Sequence, residues 1–256
     1  MLENFCRDAA VAVGLAHLAG PLLLRTTVRF TSRCQLTQVS TEQLPVAVAA
    51  AITSRIPDLQ DTGFELLGCY DCGELAAYTH SYLAYFCNRA SNDFASISIM
   101  LSGRGMDCFL EFSSTFADGR TFETNTNGML PITPADSQRR IFRFPEIADI
   151  RTLYNVHRLL IEKYAPGLWP QGEPKGHEIQ RFLRAVENYG PRHTKLGYLQ
   201  LTADGASYRA TWKGAFLMTW NGLWPHSLIR KAAYKQAMRA ELHSLQVLGE
   251  TALQKA

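Results

Sequence analysis

The stretch CFLEFSSTFADGRTFETNT, residues 108–126, reads as two strands joined by a chain reversal. Phe109, Glu111 and Ser113 alternate with Leu110 and Phe112, the period of two that places successive side chains on opposite faces of a strand. Asp118-Gly119 offers the positive φ angles of a tight type I′ turn, so Phe112–Phe116 and Thr121–Thr124 should pair antiparallel.

The same grammar extends towards the N-terminus. Phe64–Tyr70, Leu75–Asn88 and Phe94–Gly103 are rich in β-branched and aromatic residues, as are Cys108–Ala117 and Arg120–Thr126. Turn chemistry separates them: Asp71-Cys72-Gly73, Asn88 to Asp93, and Gly103-Arg104-Gly105. In Leu75–Asn88, Tyr78, His80, Tyr82, Ala84 and Phe86 alternate with Thr79, Ser81, Leu83 and Tyr85. A five-stranded antiparallel meander follows.

Helices should cover it. Ser40-Thr41-Glu42-Gln43 has the spacing of a capping box ahead of Leu44–Ile52, which Ile56-Pro57-Asp58 should end. Glu146–Tyr164 places Ile147, Ile150, Leu153, Val156, His157, Leu160 and Ile161 near helical spacing. Residues 166–176 hold three Pro and three Gly and read as a linker. Beyond them come a helix (His177–Tyr189), a hairpin (Tyr198–Leu201 with Ser207–Trp212 around Asp204-Gly205) and two helical segments split by Pro225. The fold class is α+β: a five-stranded antiparallel β-meander covered by helices, then a smaller helix–β-hairpin–helix region. The divisions fall at an apolar helical segment (1–35), the meander domain (36–165) and the C-terminal region (177–256), which can also pack on the meander as one domain.

Ala9–Leu24 is an apolar run broken only by His17. It is short of the roughly 20 residues that cross a bilayer, and Glu3 and Asp8 ahead of it have the wrong sign for a secretory leader. It reads first as a buried helix and second as an interfacial or inserted anchor. The six cysteines sit mostly beside apolar residues, the pattern of reduced thiols rather than of a disulfide framework. That favours the cytoplasm, and the cytoplasmic face of a membrane if the chain is anchored.

The net charge of +3 conceals an asymmetry: residues 1–138 carry 8 basic and 14 acidic side chains, residues 139–256 carry 18 and 9. The extreme is Gly205–Ala240, with no Asp or Glu, six Lys or Arg and three of the four tryptophans. Phe216, Leu217, Trp220, Leu223 and Trp224 fall on one face of a helix, with Lys213, Thr219 and Asn221 away from it. After Pro225, Lys231, Lys235 and Arg239 recur every four residues as a basic ridge. Such a segment suits a membrane interface, where Trp and Lys each find their depth; it also suits a helix packed on the meander. The candidate interaction surface is Trp212, Lys213, Phe216, Trp220, Trp224, Arg230, Lys231, Lys235 and Arg239.

Catalytic chemistry is poorly represented. Cys69-Tyr70-Asp71-Cys72 is a lone CxxC without the second pair that zinc needs. No Ser or Cys stands in a nucleophile motif, and no phosphate-loop fingerprint occurs. Asp107, Glu111 and Glu123 should face one another across strands as a carboxylate cluster, which on a solvent-facing sheet surface indicates solvation rather than catalysis. The sequence therefore indicates no catalytic residue, no metal and no cofactor, and leans away from an enzyme.

Gly197-Tyr198-Leu199, Asp204-Gly205 and Tyr208–Gly214 resemble the wing of winged helix-turn-helix proteins over about 20 residues. The resemblance implies DNA binding, but that fold needs two helices before the wing, and only His177–Tyr189 reads as one. The leading expectation is a non-enzymatic protein that associates with an anionic membrane surface or a protein partner. A small-molecule-binding or enzymatic domain, with a pocket between sheet and helices lined by Tyr78, His80, Tyr82 and Phe109, is the first alternative. Nucleic-acid binding through the hairpin comes last. Burial or exposure of Trp212, Trp220 and Trp224 separates a plain globular protein from one with an interface.

Overall fold

A computed structural model describes residues 2–76, 79–134 and 137–253. The protein is α+β. Strands form in all five expected places, as β3 (Glu65–Ala76), β4 (Thr79–Asn88), β5 (Asp93–Ser102), β6 (Gly105–Thr115) and β7 (Thr121–Asn125), successively antiparallel. The expected turn at Asp71-Cys72-Gly73 is corrected: β3 runs through it to Ala76 with an irregular register between Asp71 and Glu74, and β4 begins at Thr79 rather than Leu75. These five strands are not the whole sheet, however. Among the described residues it has ten strands and is mixed, so the five-stranded meander is a correction in size and kind. On one side β8 (Arg139–Arg143) adds parallel to β7. On the other, β3 takes β2 (Thr37–Val39) along its first part and β1 (Phe30–Thr31) at Ala76. From β1 the sheet runs on into the hairpin β10 (Ser207–Ala210) and β9 (Leu199–Leu201).

The reversal between β6 and β7 differs in kind from a type I′ turn. Gly119 alone takes positive φ (82°), and its N–H donates to the Phe116 carbonyl at 2.9 Å. Phe116 N–H then closes on Arg120 O at 2.9 Å. This is a three-residue loop, with Asp118 spared the left-handed region that costs a non-glycine residue strain. The Asp118 carboxylate instead accepts from Arg120 N at 3.0 Å and Arg120 Nε at 2.7 Å.

Helices cover both faces. Alternation along β4 sends Ala84 and Phe86 to one side, with Ile97, Ile99, Leu110, Phe112 and Phe122. There they meet α2 (Val46–Thr53), α3 (Ile56–Asp61), α4 (Ile150–Tyr164) and the inner face of α8 (His226–Leu253), which supplies Met238, Leu242 and Leu245. Leu83, Tyr85, Cys87 and Phe94 point the other way, onto Ile179 and Phe182 of α5 (Glu178–Glu187). Pro57 opens α3 rather than ending a helix, because a first-turn proline gives up an N–H that has no helical partner. Asp149 starts α4 four residues later than the periodicity suggests, its carboxylate accepting from Thr152 N at 2.7 Å.

Two helices precede the hairpin, where the sequence shows one. α6 (Tyr189–Lys195) follows α5 directly, with Pro191 tolerated in its first turn. A third, smaller core joins hairpin residues Leu199 and Ala210 to Ala215 and Met218 of α7 (Trp212–Gly222) and to Leu24 of α1 (Leu2–Thr27).

Candidate functional site

Thr211 caps α7, its hydroxyl accepting from Gly214 N at 2.9 Å and donating to Gly197 O at 2.7 Å. The hairpin thereby fixes the rotation of α7, which buries Gly214, Ala215, Met218 and Thr219. That is the small-residue side. The aromatic side, Trp212, Phe216 and Trp220 one turn apart, faces out, with relative exposures of 51%, 52% and 52%. Trp224, in the connection to α8, is 57% exposed. Packing of the aromatic face on the meander is therefore not what forms.

α1 explains the inversion. It crosses α7 at Gly20, where an added Cβ would stand 2.6 Å from Thr219 Cγ2, so this contact admits only small residues. Pro21 is buried at the crossing, His17 meets Trp220 edge-on at 5.5 Å, and Arg25 clamps the far end. Arg25 donates to the Ala210 carbonyl at 2.8 Å and lies over the Trp212 ring at 4.8 Å. The first reading of Ala9–Leu24, a buried helix, is corrected: Leu15 is 61% and Leu18 73% exposed, and Val11, Leu22 and Leu23 are exposed too. A helix apolar on all sides buries only a narrow strip when its partner is one other helix. Among the described residues, no helix is long and apolar enough to cross a membrane.

The result is a group of exposed apolar side chains, here called the ledge: those on the outer faces of α1 and α7, Trp224, and Leu228 and Ile229 that begin α8. No carboxylate occurs from residue 9 to 41 or from 205 to 240, so both helices carry the ledge on acid-free sequence. Lys231, Lys235 and Arg239 are exposed on α8 and start where the ledge ends. Two other expected members are tied to backbone carbonyls. Arg230 donates to Asn221 O at 3.0 Å and Pro131 O at 2.9 Å, a clamp on the backbone rather than a surface cation. Lys213 is exposed but donates to Leu196 O at 3.1 Å. Arg25, which lies over Trp212, was missed; the acid-free run after Asp8 was its signal.

The expected chemistry elsewhere does not assemble. Cys69 packs in the core of one sheet face and Cys72 in that of the other, so the CxxC thiols cannot share a metal. All five cysteines whose side chains are described are free. His80 and Tyr82 lie on the face of Ile99 and Cys108, whereas Phe109 points to the opposite one, and Tyr78 lies outside the described residues. The aromatic pocket is thus divided by the sheet. A cleft of about 840 Å³ opens instead between residues 31–37, the β3 end and the Asp204-Gly205 turn. Its polar groups serve local backbone: Asp71 accepts from Gly73 N at 2.8 Å and contacts His80 at 2.7 Å, and Ser32 bonds Gly205 O and Ala206 O.

A Ser–His–Asp set does occur, in an order unsuited to nucleophilic attack. Ser114 donates to Asp93 and accepts from His157 Nε2 at 2.9 Å, while His157 Nδ1 meets Thr124 Oγ1 at 2.9 Å. Asp93 also accepts from Tyr154 and Arg158, each at 2.9 Å. Asp93, Ser114 and His157 are fully buried. Burial holds His157 neutral, its pKa lowered to about 4, and a serine whose proton points at the carboxylate is no nucleophile. This network fastens α4 to the sheet.

No protein-family model, curated protein or solved structure matches the chain.

Proposed function

We propose that the protein binds peripherally to an anionic membrane surface, with the α1–α7 ledge lying in the interface. The observation that supports this is the outward aromatic face of α7, about half exposed at Trp212, Phe216 and Trp220, with Trp224 exposed just beyond it, all on acid-free sequence. Large contiguous apolar patches are rare on proteins that meet only water. Trp and Phe partition to the headgroup boundary, and an in-plane amphipathic surface buries about 5–10 Å deep. Each Lys or Arg near an anionic leaflet adds about 1 kcal/mol. From Ile229 to Arg239 is about 15 Å along the helix, at 1.5 Å per residue. Lys231 and Lys235 therefore fall within a Debye length of about 8–10 Å of the ledge, and Arg239 lies beyond it. The cytoplasmic face fits both the acid-free ledge and the free thiols. Flotation with vesicles tests the assignment: binding to phosphatidylserine-containing vesicles that weakens with salt supports it, and binding to another protein but to no vesicle rejects it.

A second reading, nucleic-acid binding, gains from the presence of α6. With α5 and α6 ahead of the β9–β10 hairpin, the sequence objection to a winged arrangement falls away. Exposed Lys195 and Lys213 flank the hairpin. A duplex mobility shift that weakens steeply with salt would support this reading; no shift at low salt would remove it.

A further inference from the structure

On the sheet face covered by α5, the register aligns Tyr85, Ser96, Glu111, Asn125 and Arg143 on five neighbouring strands. The expected solvated cluster of Asp107, Glu111 and Glu123 is corrected here. Asp107 is exposed near the start of β6, while Glu111 and Glu123 lie diagonally opposed under α5. Ser96, Asn125 and Glu123 are buried. Glu123 is held by Arg139 through two bonds of 2.5 and 2.6 Å, and Glu111 accepts from Asn125 Nδ2 at 2.9 Å.

Above this stripe, α5 lays the Arg181 guanidinium over the Phe94 ring at 4.5 Å, next to Tyr85, which stacks on Phe94 at 5.5 Å. Both terminal nitrogens of Arg181 are shut off from water without a hydrogen-bond partner, and Arg143 Nε is in the same state. The acids around Arg181 do not meet that need. Glu173 is engaged by Arg184, Glu123 by Arg139, and Asp93 by Arg158 on the opposite side of the sheet. Burial, then the charge of Glu123, raises the Glu111 carboxyl to about 7. Three guanidiniums therefore face one committed carboxylate and one that readily takes a proton. Buried charge without a partner is strongly unfavourable, and an anion at this point would offset that cost.

We propose that the stripe beneath α5 binds a small organic anion, its carboxylate or phosphate oxygens accepting from the two Nη atoms of Arg181 and its hydroxyl or amide groups meeting Glu111 and Ser96. A planar guanidinium with two free parallel N–H groups matches either oxyanion bidentately. Glu111 supplies an acceptor beside it, selecting ligands that also carry a donor. Glu111, Arg143 and Arg181 are each partly exposed as residues, so the rim of the stripe reaches solvent. The Arg89–Glu178 ion pair at 2.7 Å pins the first turn of α5 over the stripe.

The test is thermal unfolding of the full chain with inorganic phosphate, malate or succinate, each at constant ionic strength set with chloride. The expected result is a saturable rise in Tm with at least one anion, at a dissociation constant of about 1 mM or below. Arg181→Met keeps the stem over Phe94 and should weaken that binding at least tenfold, while raising Tm without anion because an unpaired buried charge is gone. Arg181→Gln serves if the methionine variant misfolds. A wild-type Tm that no anion shifts, or an equal shift in the Arg181 variant, would overturn the proposal.

Discussion

Gly20 of α1 and Thr219 of α7 touch so closely that a Cβ on the glycine would lie 2.6 Å from the threonine methyl. The small-residue sides of both helices are spent on this crossing, which leaves their larger apolar side chains outside. Gly20→Leu should therefore part the helices and lower stability by about 1–3 kcal/mol, as overpacking does. Leu18→Ser, on the exposed face, should stay within about 0.5 kcal/mol of wild type. Chemical denaturation measures both.

The cap of α7 is a second hold on the ledge. Thr211→Ala removes the hydroxyl that ties Gly214 N to the Gly197 carbonyl, and should cost about 1–2 kcal/mol. Thr211→Ser should recover most of it. Equal losses in the two variants would show that the methyl, not the hydroxyl, matters.

The Asp93–Ser114–His157 network gives a pH dependence of definite sign. Folded His157 has its pKa lowered from 6.5 to about 4, so between these values the unfolded chain binds more protons. Stability from this residue is full above about pH 6.5 and is lost as pH falls towards 4, on the order of 3 kcal/mol for a fully buried imidazole. Ser114→Ala strands two buried partners and should cost about 2–4 kcal/mol at neutral pH. Unfolding free energies across pH 4–8 check both statements.

Glu111 has the opposite slope. Its folded pKa is raised from 4.5 to about 7, so the folded state holds the proton more tightly and stability falls as pH rises through this range. Because the residue is partly exposed, the loss should be on the order of 1–2 kcal/mol. Glu111→Gln should abolish that slope and be more stable than wild type at pH 8. A variant less stable than wild type at pH 8 would mean that the ionised carboxylate is the favoured form.

Alternation made the meander legible from residue 64 to 126, and residue types located the acid-free aromatic segment. The rest lay in contacts that periodicity does not encode. β1 is two residues long, and β8, with Arg139, Arg140 and Arg143, does not read as a strand beneath a helix. Pro191 hid α6. The apolar face of α7 was correctly composed, but the Thr211 cap on the hairpin and the Gly20–Thr219 crossing decide that it faces outwards.

Vesicle flotation of wild type against a Trp212→Ala, Phe216→Ala, Trp220→Ala triple variant addresses the membrane assignment most directly. These side chains are about half exposed, so the variant should keep its fold, checked by circular dichroism. Wild type should float with phosphatidylserine vesicles at low salt, and the folded triple variant should lose at least tenfold in affinity. Wild type that fails to float at low salt, or a variant that floats equally well, would contradict a membrane role for the α1–α7 ledge.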